Sequence, residues 1–260
     1  MSIKSKVFAA AATLTLVGGV GAAGALTAGS ASAATPSCGF TCVNVFSHNY
    51  GTHHHPGFVL DVLRQGMKVG QPVILFRTSN SDPAEDFTIA YQGQVSDFAA
   101  AGLMSPALAL HYGGGCENLV PIGHPPVETC THYFPDDYAY EIEYAPYGVD
   151  SGMCVGVPTT AAQDTEVSLQ PCGATSKTVW VVDIANSTGH SFFDLYVPLI
   201  NGSTTNFSHP YVLTYPQNSY PTDMPRPQLT TQTLQQFSNG PHGGTVNANQ
   251  EWGGDFGPLS

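Results

Sequence analysis

Met153–Val182 reads MCVGVPTTAAQDTEVSLQPCGATSKTVWVV, and its reading decides the fold. Met153–Val157 is a short apolar strand. A polar turn follows, then Val167–Leu169 alternates apolar and polar residues, and a strand holding Trp180 ends the stretch. Alternation with period two between turn residues marks short, half-buried strands. Cys154 and Cys172 sit on the first two strands. A hairpin brings such a pair to the Cα separation of ~5.5–6 Å that a disulfide needs.

The same pattern recurs on both sides. Cys42-Val-Asn-Val-Phe46, a turn through Gly51 and Gly57-Phe-Val-Leu-Asp-Val62 make one strand–turn–strand unit. Tyr140–Tyr144, a turn through Gly148 and Gly152–Val157 make a second. Phe192–Tyr196, a turn through Asn201-Gly202 and Pro210–Tyr215 make a third. Downstream, Gln71–Phe76 aligns with Thr165–Gln170, and Glu85-Asp-Phe87 with Thr178-Val-Trp180. Gln228–Leu234 and Gln250-Glu-Trp252 complete a looser third copy. A recurring unit of this length is one supersecondary element that must stack on its copies to bury a core. The repeats span 41–90, 139–183 and 191–254, with an insertion at 91–138. Within it, Phe98–Met104 reads as either a helical turn or a buried strand. Gly113–Asp137 reads as a Gly/Pro-rich loop holding Cys116 and Cys130, and so long a loop is functional or tied down.

Composition narrows the function classes. Lys4 and Lys6 precede an uncharged Ala/Val/Leu/Gly run, and Ala31-Ser32-Ala33 offers a cleavage site before Ala34. This reads as a signal peptide over 1–33 and predicts a secreted, monomeric domain over 34–260, with no membrane insertion. The chain carries 19 acidic residues against 7 basic ones and a formal charge of −12. Phosphate backbones repel such a surface, which argues against nucleic acid as a partner. Six cysteines in an exported chain read as disulfides. Nearest-neighbour pairing gives Cys38–Cys42, Cys116–Cys130 and Cys154–Cys172, one connectivity of about fifteen. No C-x-x-C pair points to zinc.

A C-V-x-V strand, a V-x-L-x-x-C strand and an aromatic-ended Q-x-W strand resemble the repeat of ricin B-type β-trefoil lectin domains. Met153–Trp180 carries the pattern, with Thr178 in place of the glutamine. Gln250-Glu-Trp252 is an intact Q-x-W, and Glu85-Asp-Phe87 a divergent one. The layout also resembles a group of secreted actinobacterial proteins. The resemblance implies an all-β, β-trefoil fold with Phe87, Trp180 and Trp252 pointing into a shared core. It further implies a shallow sugar site in each copy: an Asp accepting from two hydroxyls, an aromatic stacking on the ring, and a polar side chain near Q-x-W. Only repeat one keeps these residue types, at Asp61, Phe76, Asn80 and Glu85. Repeat two has Gly156 and Gln170 at the first two positions, and repeat three has Thr214.

Other constellations carry less. His53 and His55 could share an ion across one strand face, but no acidic or Cys ligand stands beside them, so no metal and no cofactor is expected. Glu141 and Glu143 share a strand face, and an inward Ile142 turns both outward as a solvated pair rather than a glycosidase pair. No G-x-S-x-G, P-loop or dinucleotide motif occurs, so no catalytic residue is assigned. The expected function is non-catalytic binding of glycans or cell-envelope polysaccharide. The competing reading is a protein-interaction or envelope-associated structural module. It would use the loop Tyr215–Pro227 and the 113–137 part of the insertion to meet a secreted protein partner.

Overall fold

The computed structural model describes residues 42–47, 58–79, 81–114, 116–122, 127–133, 137–173, 175–187, 196–206, 208–215, 227–237 and 245–254. Every described residue lies in one compact unit, Ala31–Ser260. The expected signal peptide, Cys38, Asn80 and the His53–His55 run lie outside the described residues.

The fold is an all-β trefoil. Its strands are short: β1 Val45–Ser47, β2 Phe58–Val62, β3 Val73–Arg77 and β4 Phe87–Gln94 come first. After the insertion come β7 Tyr138–Tyr144, β8 Met153–Gly156, β9 Thr165–Glu166, β10 Ser168–Pro171 and β11 Val179–Val182. Repeat three supplies β12 Leu199–Asn201, β13 Tyr211–Thr214, β14 Thr230–Thr233, the short pair β15 Gln236–Phe237 and β16 Thr245–Val246, and β17 Trp252–Gly254.

One ring of backbone hydrogen bonds joins the three repeats. Val73 N–H donates to the Val167 carbonyl (3.2 Å), Val167 N–H to that of Leu229 (2.8 Å), and Leu229 N–H to that of Val73 (3.0 Å). Each repeat gives one donor and one acceptor, so the ring closes only around a threefold axis. All three side chains are buried in the central core. Phe87, Trp180 and Trp252 are fully buried in the same core. Trp180 Nε1 donates to the Val155 carbonyl and Trp252 Nε1 to that of Leu213, each at 2.9 Å. These bonds satisfy the indole as an aromatic in a core requires. They also align Val155 with Leu213, and hence Gly156 with Thr214, while the sequence repeat puts Leu60 and Asp61 at the matching positions of repeat one.

Strand alternation builds a second core outside the barrel. Tyr140 and Ile142 of β7 and Trp180 and Val182 of β11 point inward. Their neighbours Ala139, Val179 and Val181 point outward, with Ile200 and Val212. The insertion covers that outer face with two helices, α1 Val95–Ala100 and α2 Pro106–Tyr112, through Val95, Phe98, Leu108 and Tyr112. The reading left open for Phe98–Met104 resolves to the end of α1 and the turn after it. Ser105 caps α2, its Oγ accepting from Leu108 N–H, and Pro106 occupies the first helical position. The rest of the insertion is a hairpin rather than a loop, β5 Cys116–Ile122 paired with β6 Val127–Tyr133.

Two further expectations shift, and one disulfide is as expected. Phe192–Tyr196 lies largely outside the described residues, and pairing in repeat three starts at Val197, which bridges Trp252, and continues in β12. Glu141 and Glu143 face outward as expected, but both are buried rather than solvated. Glu141 accepts from Thr178 Oγ1 and Glu143 from Gly152 N–H, each at 2.5 Å, so both carboxylates anchor turns. The disulfide Cys154–Cys172 is formed, with Cα atoms 4.9 Å apart. Cys42 is also disulfide-bonded, while the side chains of Cys116 and Cys130 lie outside the described residues.

Candidate functional site

Repeat one concentrates the unusual chemistry. Leu60 and Val62 of β2 point into the barrel, so Asp61 between them points out of it. Asp61 pairs with Ile74 and Val59 with Phe76 across β2 and β3. The pleat therefore puts Asp61 and Phe76 on one face, as the resemblance implied. The face is not an open shelf: Asp61 is only 1% exposed, whereas Phe76 is half-buried. Burial removes Asp61 from direct reach of a sugar hydroxyl in solvent.

The turn before Phe87 covers it. Asp82 starts a 3₁₀ turn, Pro83–Glu85, its Oδ1 accepting from Ala84 N–H at 3.0 Å. Gln65 Nε2 donates to the same oxygen at 3.0 Å. Glu85, 2% exposed, accepts from Ser79 N–H on both oxygens (2.9 and 3.0 Å) and from Thr78 Oγ1 (3.1 Å). Desolvation nevertheless pushes its carboxyl up from 4.5 to about 8, with the charges of Asp61 and Asp82 adding to the rise. One carboxylate oxygen from each of Asp61, Asp82 and Glu85 lies within 4.8 Å of the other two.

The next residue fixes a neighbouring turn. Asp86 Oδ2 accepts from Tyr147 N–H at 3.0 Å, and the Asp86 carbonyl from Ala145 N–H at 2.9 Å. Tyr147 is held at φ 58°, a left-handed conformation that costs a non-glycine residue of order 1–2 kcal/mol. The residue is 71% exposed. The turns Leu63–Gln65 and Pro146–Gly148 both pack against Pro83–Glu85. Arg64 and Gln65, at φ 58° and 55°, share the left-handed conformation. Strain of this kind clusters where a surface is shaped for contact. Behind the turns, Tyr144 is fully buried, its ring 5.8 Å from Phe87. Burial first, and then Asp61, Asp82 and Asp86, raise its hydroxyl above the ordinary tyrosine range. Its oxygen has no hydrogen-bond partner among the described residues.

The sequence reading found Asp61 and Glu85 but missed Asp82, Tyr144 and Tyr147. Asp-Pro at 82–83 is a visible turn start. Tyr144 and Tyr147 belong to repeat two and enter the site only through β4–β7 pairing, in which Phe87 lies opposite Tyr144.

The other repeats lack this chemistry, repeat two for a steric reason and repeat three because a neutral hydrogen-bond set fills the same positions. A Cβ on Gly156 would stand 2.8 Å from the Lys177 carbonyl, so repeat two fills the pocket with its own backbone. In repeat three Gln250 Nε2 donates to Thr214 Oγ1 (3.2 Å) and to the Thr233 carbonyl (3.0 Å), and Gln250 Oε1 accepts from Gln235 N–H (2.8 Å).

No protein-family model matches the chain, and no curated protein matches it in sequence. Solved structures with a similar trace include ThreeFoil, a designed threefold-symmetric protein, at TM-score 0.44 and 12% identity, covering 82% of this chain and 97% of that one. A Caenorhabditis elegans protein of unknown function gives TM-score 0.42 and 11% identity, covering 82% and 92%. The S. cerevisiae protein O-mannosyltransferase Pmt1–Pmt2 complex gives 0.41 and 12%, covering 82% of this chain and 24% of that one. These likenesses are distant, and the functional reading is built on the geometry of repeat one.

Proposed function

We propose that the chain is a secreted, monomeric, non-catalytic carbohydrate-binding protein of the ricin B type, with one surviving site on repeat one. The observation that supports it is Tyr147, an exposed ring held in a strained backbone conformation beside the acidic turn Asp82–Glu85. A sugar presents a C–H face that packs on an aromatic ring, and paired hydroxyls that match a carboxylate's two acceptors. The burial of Asp61 moves the site from the Asp61–Phe76 shelf to the rim of the same pocket. There Tyr147 stacks and half-buried Asp82, braced by Gln65, accepts hydroxyls.

A glycan array with the parent and Tyr147→Ala tests this. Loss of a stacking contact of up to about 1.5 kcal/mol weakens binding roughly tenfold. An array with no bound glycan, or a variant that binds like the parent, sinks the reading. Exposed Met67, Val69 and Val149 on the β2–β3 and β7–β8 turns favour the second reading, a protein-interaction module. A blank array together with a partner lost on Met67→Ser and Val69→Ser moves the assignment there.

A further inference from the structure

Three carboxylates converge in repeat one within 4.8 Å. Like charges at that spacing repel unless a proton or a cation sits among them. Tyr144 supplies a separate observation. Its hydroxyl is buried, has no partner among the described residues, and is close enough to Asp61 and Asp82 to feel their charge. Leaving a buried hydroxyl unmatched costs about 1–3 kcal/mol, so the native state is expected to match it with something. Repeat three shows the contrast, with neutral Gln250 and Thr214 bonded to each other at the positions of Glu85 and Asp61.

We propose that the carboxylates of Asp61, Asp82 and Glu85, with the Tyr144 hydroxyl behind them, form a binding site for one Ca²⁺ ion. Every donor is a hard oxygen, which selects Ca²⁺ or Mg²⁺ over thiolate- and imidazole-seeking metals. The spacing favours Ca²⁺. Its shell of six to eight oxygens tolerates irregular geometry, whereas Mg²⁺ demands a near-ideal octahedron. Outer contacts are already in place: Ser79 N–H and Thr78 Oγ1 orient Glu85, and Ala84 N–H and Gln65 orient Asp82. Asp82, the least buried of the three, gives the ion its approach from solvent. The Tyr144 oxygen accepts from a Ca²⁺-bound water or completes the shell itself. This site shares Asp82 with the proposed glycan rim, but it is tested with the metal alone, so either reading can fail while the other stands.

The test uses the purified chain, stripped with chelator and titrated with Tb³⁺, whose luminescence is sensitised by nearby aromatic rings. The expected result is a saturable signal that Ca²⁺ competes away at or below about 1 mM, the weak end of protein Ca²⁺ sites. Asp82→Asn and Glu85→Gln each weaken binding at least tenfold, the loss expected when a ligand carboxylate goes. Tyr144→Phe weakens binding or lowers the sensitised signal. Asp82→Asn changes a half-buried turn residue, so it keeps the test open if Glu85→Gln folds poorly. Two results overturn the proposal. One is no saturable Tb³⁺ signal and no Ca²⁺-induced rise in Tm up to about 10 mM, well beyond the usual range; the carboxyls then share a proton. The other is parent-like binding in both carboxylate variants.

Discussion

Repeats one and three put the same three positions to opposite uses. In repeat three, Thr214, Gln250 and Trp252 form a closed set: amide to hydroxyl, amide to backbone, and indole to the Leu213 carbonyl. In repeat one, Asp61, Glu85 and Phe87 replace them. Glu85 keeps the acceptor half of Gln250's role, taking the Ser79 N–H as Gln250 takes that of Gln235. A carboxylate has no N–H to donate, so the other half is lost, and Asp61 adds a charge where Thr214 had a neutral hydroxyl. The backbone tolerates both sets because the ring through Val73, Val167 and Leu229 uses only main-chain groups. A side-chain network on a threefold scaffold can therefore be rebuilt in one repeat without disturbing the others.

The comparison breaks most visibly at its aromatic position. Truncating a buried aromatic costs about 3–5 kcal/mol. Trp252→Ala and Phe87→Ala are both expected to lose that much in denaturant titration. If Phe87→Ala is mild, repeat one does not share the core on equal terms. Gln250→Glu copies the Glu85 chemistry into repeat three. It removes the donor to Thr214 and to the Thr233 carbonyl, and a lost buried partner costs about 1–3 kcal/mol. A neutral result in the same titration would mean that repeat three can hold a carboxyl without help.

The reverse change, Glu85→Gln, is read through pH. The Glu85 carboxyl sits at about 8 in the folded chain against 4.5 ordinarily. The folded chain thus keeps a proton that the unfolded chain releases in that interval. The stability it contributes is complete below about pH 4.5 and is lost as pH rises through about 8. In chelator, Tm of the parent should fall across that window and Glu85→Gln should flatten the fall. Glu143, also raised by burial, adds a slope of the same sign that the variant leaves in place. An unchanged slope would place the coupled proton elsewhere. The smallest effect is Tyr147→Gly. Relief of the left-handed strain raises stability by up to about 1–2 kcal/mol while removing the exposed ring. A loss of stability instead would show that the ring is packed in solution.

Much of the scaffold was legible in the chain. The matched spacing of Val59, Val73 and Phe87 with Cys154, Val167 and Trp180 carries the repeat, Gln250-Glu-Trp252 marks a looser third copy, and period-two alternation assigns the inward residues. Cys154 and Cys172 declare the staple of repeat two. The two insertion helices were half-legible: Ser105-Pro106 is a helix start, but a six-residue α1 has too little periodicity to separate it from a strand. Its apolar face makes sense only against Val179 and Val181.

The sequence by itself determined three strand–turn–strand copies that must stack to bury a core, and their resemblance to the ricin B-type repeat implied the trefoil. It also named Asp61 and Glu85 through their repeat positions. Tertiary structure alone decided what they face. Burial of Asp61 under the Pro83–Glu85 turn depends on contacts across a strand and two turns, and the arrival of Tyr144 and Tyr147 across the β4–β7 pairing on contacts between residues some sixty positions apart. Local pattern reports which way a side chain points from its own strand. It carries no record of the neighbour that will meet it, and that neighbour sets the solvation and charge on which the chemistry of this pocket rests.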